Sequence, residues 1–252
     1  MKLRNWVRSE LSMLAIDTKN LTKKYGEKTA VNGINLKINQ GELFALLGTN
    51  GAGKTTTIKM LSTLILPTDG DIKINGLDTV QYRKKIRERL NVSPQETAIA
   101  PNLSVKENLE FMAGVYQIPN KHEKINELIK IFKLEDVLNQ KAKTLSGGWQ
   151  RKVSIAISLI NEPEILFLDE PTLGLDVIAR KELWAVIKNL KRKMTVILTT
   201  HYMEEAENLS DRIGIMSKGN LVAVGTADEL IKQTESKTFE DAFVKIATGG
   251  EL

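Results

Sequence analysis

Gly48-Thr49-Asn50-Gly51-Ala52-Gly53-Lys54-Thr55 constrains the fold of this chain more than any other stretch. It has the form G-x-x-x-x-G-K-[ST], in which glycines let successive backbone N–H groups converge on an anion at a helix N-terminus. In that geometry Lys54 reaches the outer phosphates of a nucleotide, and the Thr55 hydroxyl is placed to ligate Mg²⁺. The flanks agree with this reading. Glu42 to Leu47 is a short apolar run of the kind that makes a buried parallel strand, and Ile58, Leu61 and Ile65 follow the loop at helical spacing. By chance alone the pattern arises in about one chain in a hundred of this length. A strand before it and a helix after it lower that figure.

At 252 residues and 42% hydrophobic, the chain can bury a substantial α/β core. No run approaches the 18 apolar residues of a membrane span, and the first residues lack an apolar signal core, so a soluble, non-secreted chain is expected. The absence of cysteine rules out disulfides and thiolate metal sites. Lys+Arg 36 against Asp+Glu 31 gives a charge of +5 without a basic block, which suits a protein near an anionic membrane better than one that grips nucleic acid.

Residues 1–12 place Leu3, Trp6, Val7 and Leu11 at helical spacing among Lys2, Arg4 and Arg8. So short a helix is marginal in water, so a loosely ordered extension is preferred to a membrane-surface helix. Ala15-Ile16-Asp17 and Ile34 to Ile38 read as strands joined through a turn at Tyr25-Gly26. Pro67 to Gly70 leads into a strand at Asp71 to Ile74, and Asn75-Gly76 signals a hairpin. Asn91 to Gln95 reads as another strand. Beyond it, a capping box at Ser104 to Glu107 and a second cap at Asn120 to Glu123 open helices, and Ser146-Gly147-Gly148 opens a third. Residues 97–160 are thus a helical insertion between parallel strands.

Glu164 to Leu168 is an apolar strand that ends in Asp169-Glu170, and Thr195 to Thr200 repeats the pattern with His201 at its end. Three apolar strands therefore bring the glycine loop, the acid pair and the histidine to one sheet edge, where open α/β sheets bind ligands. Phosphoryl transfer needs a metal, a group that orients water, and donors for the developing charge. Asp169 suits the Mg²⁺ shell, Glu170 the general base, Gln95 an amide ligand to metal or water, and His201 a hydrogen bond to the terminal phosphate. His122, in a charged cap, reads as structural.

Taken in order and spacing, the loop at 48–55, Gln95, Leu145-Ser146-Gly147-Gly148, Asp169-Glu170, Gly174-Leu175-Asp176 and His201 resemble an ATP-binding cassette (ABC) transporter ATPase from about Leu14 to Ala247. The Ser-Gly-Gly stretch lies 23 residues before Asp169, which makes it specific. The resemblance implies an α/β P-loop NTPase with a mostly parallel central sheet, a flanking antiparallel β subdomain and the inserted helical subdomain, over 13–230, with a helical tail at 231–252. It implies that two cassettes sandwich two ATP molecules with Mg²⁺. Gly48, Asn50, Gly51, Gly53, Lys54, Thr55 and Thr56 then contact ATP in one subunit, and Ser146, Gly147 and Gly148 contact it from the other. Lys54, Gln95, Glu170 and His201 carry the reaction, and Thr55, Gln95 and Asp169 hold the metal. Tyr25 stacks on adenine, Gln95 also senses the membrane partner, and Asp176 bridges the subunits.

Independently of the family, Ser146 and the following amides at a helix N-terminus form a second anion site, which one chain does not need for one phosphate. Two half-sites imply a dimer, expected to be of identical chains. The sequence departs from the family at Trp149, where Gln is common, and at Val177, where Pro is frequent; neither change removes a catalytic group. Pro94 to Thr97, Leu103 to Leu109 and the tail Thr238 to Lys245 resemble the bacterial drug, sodium and polysaccharide exporter branch. The expected function is a cytoplasmic ATPase subunit on the inner face of the membrane, which energises a separate permease and binds no nucleic acid. The alternative, a cassette ATPase that acts on nucleic acid or ribosomes, fits less well with one cassette, no sustained heptads and no cysteine.

Overall fold

The computed structural model describes residues 13–250 apart from Arg192, so the expected N-terminal extension at 1–12 lies outside the described residues. Strands β1 (Leu14–Tyr25) and β2 (Lys28–Asn39) pair antiparallel across the turn at Gly26. Then follow β3 (Leu43–Leu47), α1 (Lys54–Leu61), β4 (Asp69–Ile74), β5 (Leu77–Asp78), α2 (Arg83–Arg87) and β6 (Leu90–Ser93). Helices α3 (Val105–Val115), α4 (Lys121–Phe132) and α5 (Gly147–Ser158) precede β7 (Ile165–Asp169) and α6 (Val177–Leu190). The chain closes with β8 (Thr195–Thr200), α7 (Met203–Leu209), β9 (Arg212–Ser217), β10 (Asn220–Gly225), α8 (Ala227–Gln233) and α9 (Phe239–Thr248).

A six-stranded sheet in the order β10-β9-β3-β8-β7-β6 is parallel except at β10, and a four-stranded antiparallel sheet runs β2-β1-β4-β5. The apolar runs at β3, β7 and β8 are buried on both faces, which is why they show no alternation. Leu43, Ala45, Leu166, Leu168 and Leu198 pack with α3 to α9 on one face. Phe44, Leu46, Ile165, Phe167 and Ile197 pack with α1 and the antiparallel sheet on the other. Phe239 is buried in the first of these cores and Phe243 and Ile246 pack against it, so the stripe of the tail is a docking face.

Three expectations shift. The strand read at Asn91 to Gln95 runs instead from Leu90 to Ser93, because Pro94 has no N–H to continue a ladder. Helix α1 stops at Leu61, and Thr63 turns at φ 62°, so Ile65 lies beyond it. Ser104 and Glu107 form a complete capping box, whereas the Asn120 side chain makes no cap bond at the start of α4. Between β6 and β7, which pair in parallel, α3, α4 and α5 form the helical crossover.

Candidate nucleotide-binding site

The loop between β3 and α1 is glycine-bound by its neighbours. A Cβ on Gly48 would lie 2.4 Å from the Met216 carbonyl oxygen, and one on Gly53 2.6 Å from that of Ala30, where the backbone also has φ 103°. Helix α1 has neither a side-chain cap nor an acid in its first turn, so its leading amides are left for an anion. They open on a cleft of about 730 Å³. Asn50, Gly51, Gly53, Lys54, Thr55 and Thr56 form its floor, with Tyr25, Gln95, Glu170 and His201 around it. Tyr25 is half exposed, with Lys23 Nζ 5.4 Å from the ring centroid.

Asp169 and Glu170 are both buried, and Thr199 on the adjacent β8 holds them. Its hydroxyl donates to Asp169 Oδ1 at 2.6 Å and accepts the Glu170 N–H at 3.0 Å. Thr55 Oγ1 also donates to Asp169 Oδ1, at 3.1 Å. Hydroxyl and carboxylate oxygens thus converge at Asp169, and Gln95 lines the same cleft as Thr55, a hard-donor set that fits Mg²⁺. Among the described residues no three His, Cys, Asp or Glu side chains group to hold a metal. Mg²⁺ suits such a site, since it takes one or two carboxylates and completes its shell with water and substrate phosphates.

Glu170 leaves the strand at φ 49°, which turns its side chain away from that of Asp169. Its Oε1 lies 3.2 Å from Lys54 Nζ and its Oε2 2.8 Å from His201 Nδ1. Lys54 Nζ further donates to the carbonyls of Gly48 at 2.8 Å and Thr49 at 3.3 Å. The lysine is thus held by its own loop and by the acid.

The other sequence-marked residues lie away from this cleft. Ser146 is the N-cap residue of α5 and makes no side-chain cap bond, and Ser146 and Gly147 are exposed. Neither they nor Gly148 and Asp176 line the cleft. A Cβ on Gly148 would meet that of Ala179 at 3.3 Å, so α5 passes close to α6. Within the chain Asp176 caps α6, accepting from the N–H groups of Ile178 and Ala179 at 2.9 Å each. Trp149 is half-buried, with Lys152 Nζ 4.4 Å from its ring centroid, and Lys152 reaches Glu182 on α6 at 2.7 Å. His122 is solvent-exposed on α4.

Sequence reasoning missed Thr199, Arg151 and the cleft wall formed by Lys28, Thr29, Ala30, Lys218 and Gly219. The buried pair Thr199-Thr200 closing the apolar run of β8 was the available signal for Thr199. The wall comes from β2 and the β9–β10 turn, far apart in sequence. Arg151 is 4% exposed, and burial lowers its pKa to about 10.

A glycine loop between strand and helix, acids at the end of the neighbouring strand but one, and a sheet covered on both faces define a P-loop nucleotide-binding protein. The profile of the ABC transporter family matches residues 31–173. The chain is 40% identical over 239 residues to the probable multidrug ABC transporter ATP-binding protein YbhF of Escherichia coli (strain K12), a match that covers 92% of this chain and 41% of that protein. It is 40% identical over 223 residues to the daunorubicin resistance ATP-binding protein DrrA3 of Streptomyces coeruleorubidus, covering 87% and 71% respectively. The chain thus spans less than half the length of the first relative and about seven-tenths of the second. Among solved structures, an ATP-binding subunit of an ABC transporter superposes with TM-score 0.82 at 29% identity, covering 92% of this chain and 99% of that one. A dimeric ATP-binding cassette in a post-hydrolysis state with ADP and phosphate superposes with TM-score 0.75 at 29% identity, covering 84% and 98%. The chain belongs to the ABC transporter family.

Proposed function

We propose that this chain is the ATP-hydrolysing subunit of an ABC exporter, working as a dimer around ATP and energising a separate integral membrane permease. The observation that carries the reading is the separation of two anion-binding features, the α1 N-terminus inside the cleft and the start of α5 outside it, where Ser146 makes no cap bond and Ser146 and Gly147 are exposed. One chain supplies half of each of two sites, so two chains head to tail complete both. Residues 13–230 act as the ATPase domain, 97–160 as its helical subdomain, and 231–252 as a tail. The names of the drug-resistance relatives support export. Among the described residues no helix is long and apolar enough to cross a membrane, which accords with a permease in another chain and with a position on the inner membrane face. No nucleic-acid partner is expected.

ATP is the substrate. The glycine-loop amides and Lys54 bind its phosphates, Tyr25 stacks on the base, and Thr55, Asp169 and Gln95 hold Mg²⁺, which supplies charge neutralisation on the phosphates. Once Lys54 turns to a phosphate, Glu170 keeps its bond to His201 and is aimed to take a proton from water. His201 then orients the base and reaches toward the terminal phosphate. Asp176 at the start of α6 meets the second subunit.

Ser146→Arg tests the composite site. The variant is expected to bind ATP as a monomer with unchanged affinity, while turnover and ATP-dependent dimerisation are lost. Normal turnover would remove the case for a shared site.

A further inference from the structure

Arg151 is a buried cation with no direct carboxylate partner among the described residues. It lies in the first turns of α5, five residues beyond Ser146. Its guanidinium is spread over backbone carbonyls of two loops that are distant in sequence. Nε donates to the Pro171 oxygen at 2.9 Å and Nη2 to the Asp169 oxygen at 2.8 Å. Nη1 donates to the Pro94 oxygen and, at 3.4 Å, to that of Gln95. One planar fork therefore ties the segment that bears Gln95 to the segment that bears Asp169 and Glu170, and both to the helix that begins at Ser146.

The same helix is anchored on its other sides. The Gln150 amide donates to the carbonyls of Ala142 and Leu145 at 3.2 and 3.1 Å, which fixes the approach to Ser146. Lys152 is paired with Glu182 on α6, the helix that Asp176 caps. Burial is the main influence on Arg151 and lowers it to about 10, so it remains charged at neutral pH. A buried charge satisfied by carbonyl dipoles alone is costly to displace, since each lost bond leaves both a cation and a carbonyl without a partner.

We propose that Arg151 is the positioning residue that couples the nucleotide site of one subunit to the Ser146 surface it offers to the other, by holding the Gln95 and Glu170 segments in fixed register with α5. The coupling rests on the proposed composite ATP site; the positioning itself does not. A shift of the Gln95 or Glu170 segment on ATP binding is transmitted through the guanidinium to α5. Lysine cannot replace it. An ammonium is a point charge that lacks the fork needed to reach carbonyls on two sides.

The test uses R151Q and R151K in the full chain. In the nucleotide-free protein, amide exchange at residues 95–98 and 170–174 is expected to rise at least about tenfold in both variants, because the lost charged hydrogen bonds close these segments. Exchange in the central strands is expected to stay unchanged. ATP affinity of the monomer holds within about twofold, and kcat falls by about 10–100-fold, the scale of a slightly misplaced group. A double-mutant cycle with Gln95→Ala then separates positioning from general weakening. The loss from Q95A is expected to vanish in the R151Q background, because Gln95 is already displaced. Additive losses, a wild-type rate in R151K, or unchanged exchange in both segments would overturn the proposal. If the wild-type chain itself turns over no ATP, the proposed function fails, and the exchange measurement still decides whether Arg151 holds the two segments.

Discussion

Glu170 Oε1 lies 3.2 Å from Lys54 Nζ, so the acid expected to activate water is paired with the lysine expected to grip phosphate. Both side chains are almost fully buried, so removing either leaves the other as a costly unpaired charge. On the proposed function, a phosphate entering the loop takes Lys54 from Glu170 and frees the carboxylate, so that substrate binding and activation of the base are one exchange of partners.

Glu170→Gln removes the competing charge while keeping the shape. The variant is expected to bind ATP a few-fold more tightly than wild type as a monomer. Hydrolysis falls by about 10²–10⁴-fold, the contribution typical of a general base. Equilibrium binding and steady-state turnover check the two parts separately, and hydrolysis near the wild-type rate would remove Glu170 from the base's role.

His201 Nδ1 is 2.8 Å from the other Glu170 oxygen, so its loss frees the acid to rotate. His201→Ala is expected to lower kcat by about 10²-fold with a smaller change in KM, since the interaction matters most where geometry is strictest. A change confined to KM would argue that His201 only binds substrate.

Gly53→Ala introduces a Cβ 2.6 Å from the Ala30 carbonyl at a backbone φ of 103°. The strain is expected to destabilise the fold by about 1–3 kcal/mol and to disturb the leading amides of α1, abolishing ATP binding. Chemical denaturation and a binding titration measure these effects. Full stability would mean the loop relaxes freely.

Glu205, fully buried on α7, accepts from Thr172 at 2.8 Å and from the Trp184 indole at 3.0 Å. Burial raises its pKa, and the nearby Glu170 charge adds to the shift. A group raised in the folded state contributes stability that is fully present below the ordinary carboxylate range and is lost as pH rises through the folded value. Glu205→Gln mimics the neutral acid. Thermal melts between pH 5 and pH 8 are therefore expected to fall less for the variant than for wild type, and parallel curves would show that Glu205 is not neutral in the fold.

Much of this site is legible in the chain because its signals are local. The glycine loop carries its own turn and helix start within eight residues, and the apolar runs before Thr49, Asp169 and His201 announce strands buried on both faces. The capping box at Ser104 is equally local and is complete in the structure. Asn120 looks the same in sequence, yet its side chain makes no cap bond, since a cap residue type does not fix the rotamer. β6 ends at Ser93, two residues before Gln95, because Pro94 stops pairing more sharply than an apolar pattern reveals.

By itself the sequence determined that Gly48 to Thr55 is a glycine turn between a strand and a helix of an α/β sheet, since glycine spacing and unbroken apolar strands admit few other folds. Only the tertiary structure decided which groups meet. Thr199 joins Asp169 and Glu170 from a strand 30 residues away, and Arg151 reaches carbonyls 20 and 57 residues distant. Such contacts are set by the side-by-side order of β6, β7 and β8 and by where α5 lands against them. No residue pattern along the chain carries that order, because it arises from packing both faces of one sheet at once.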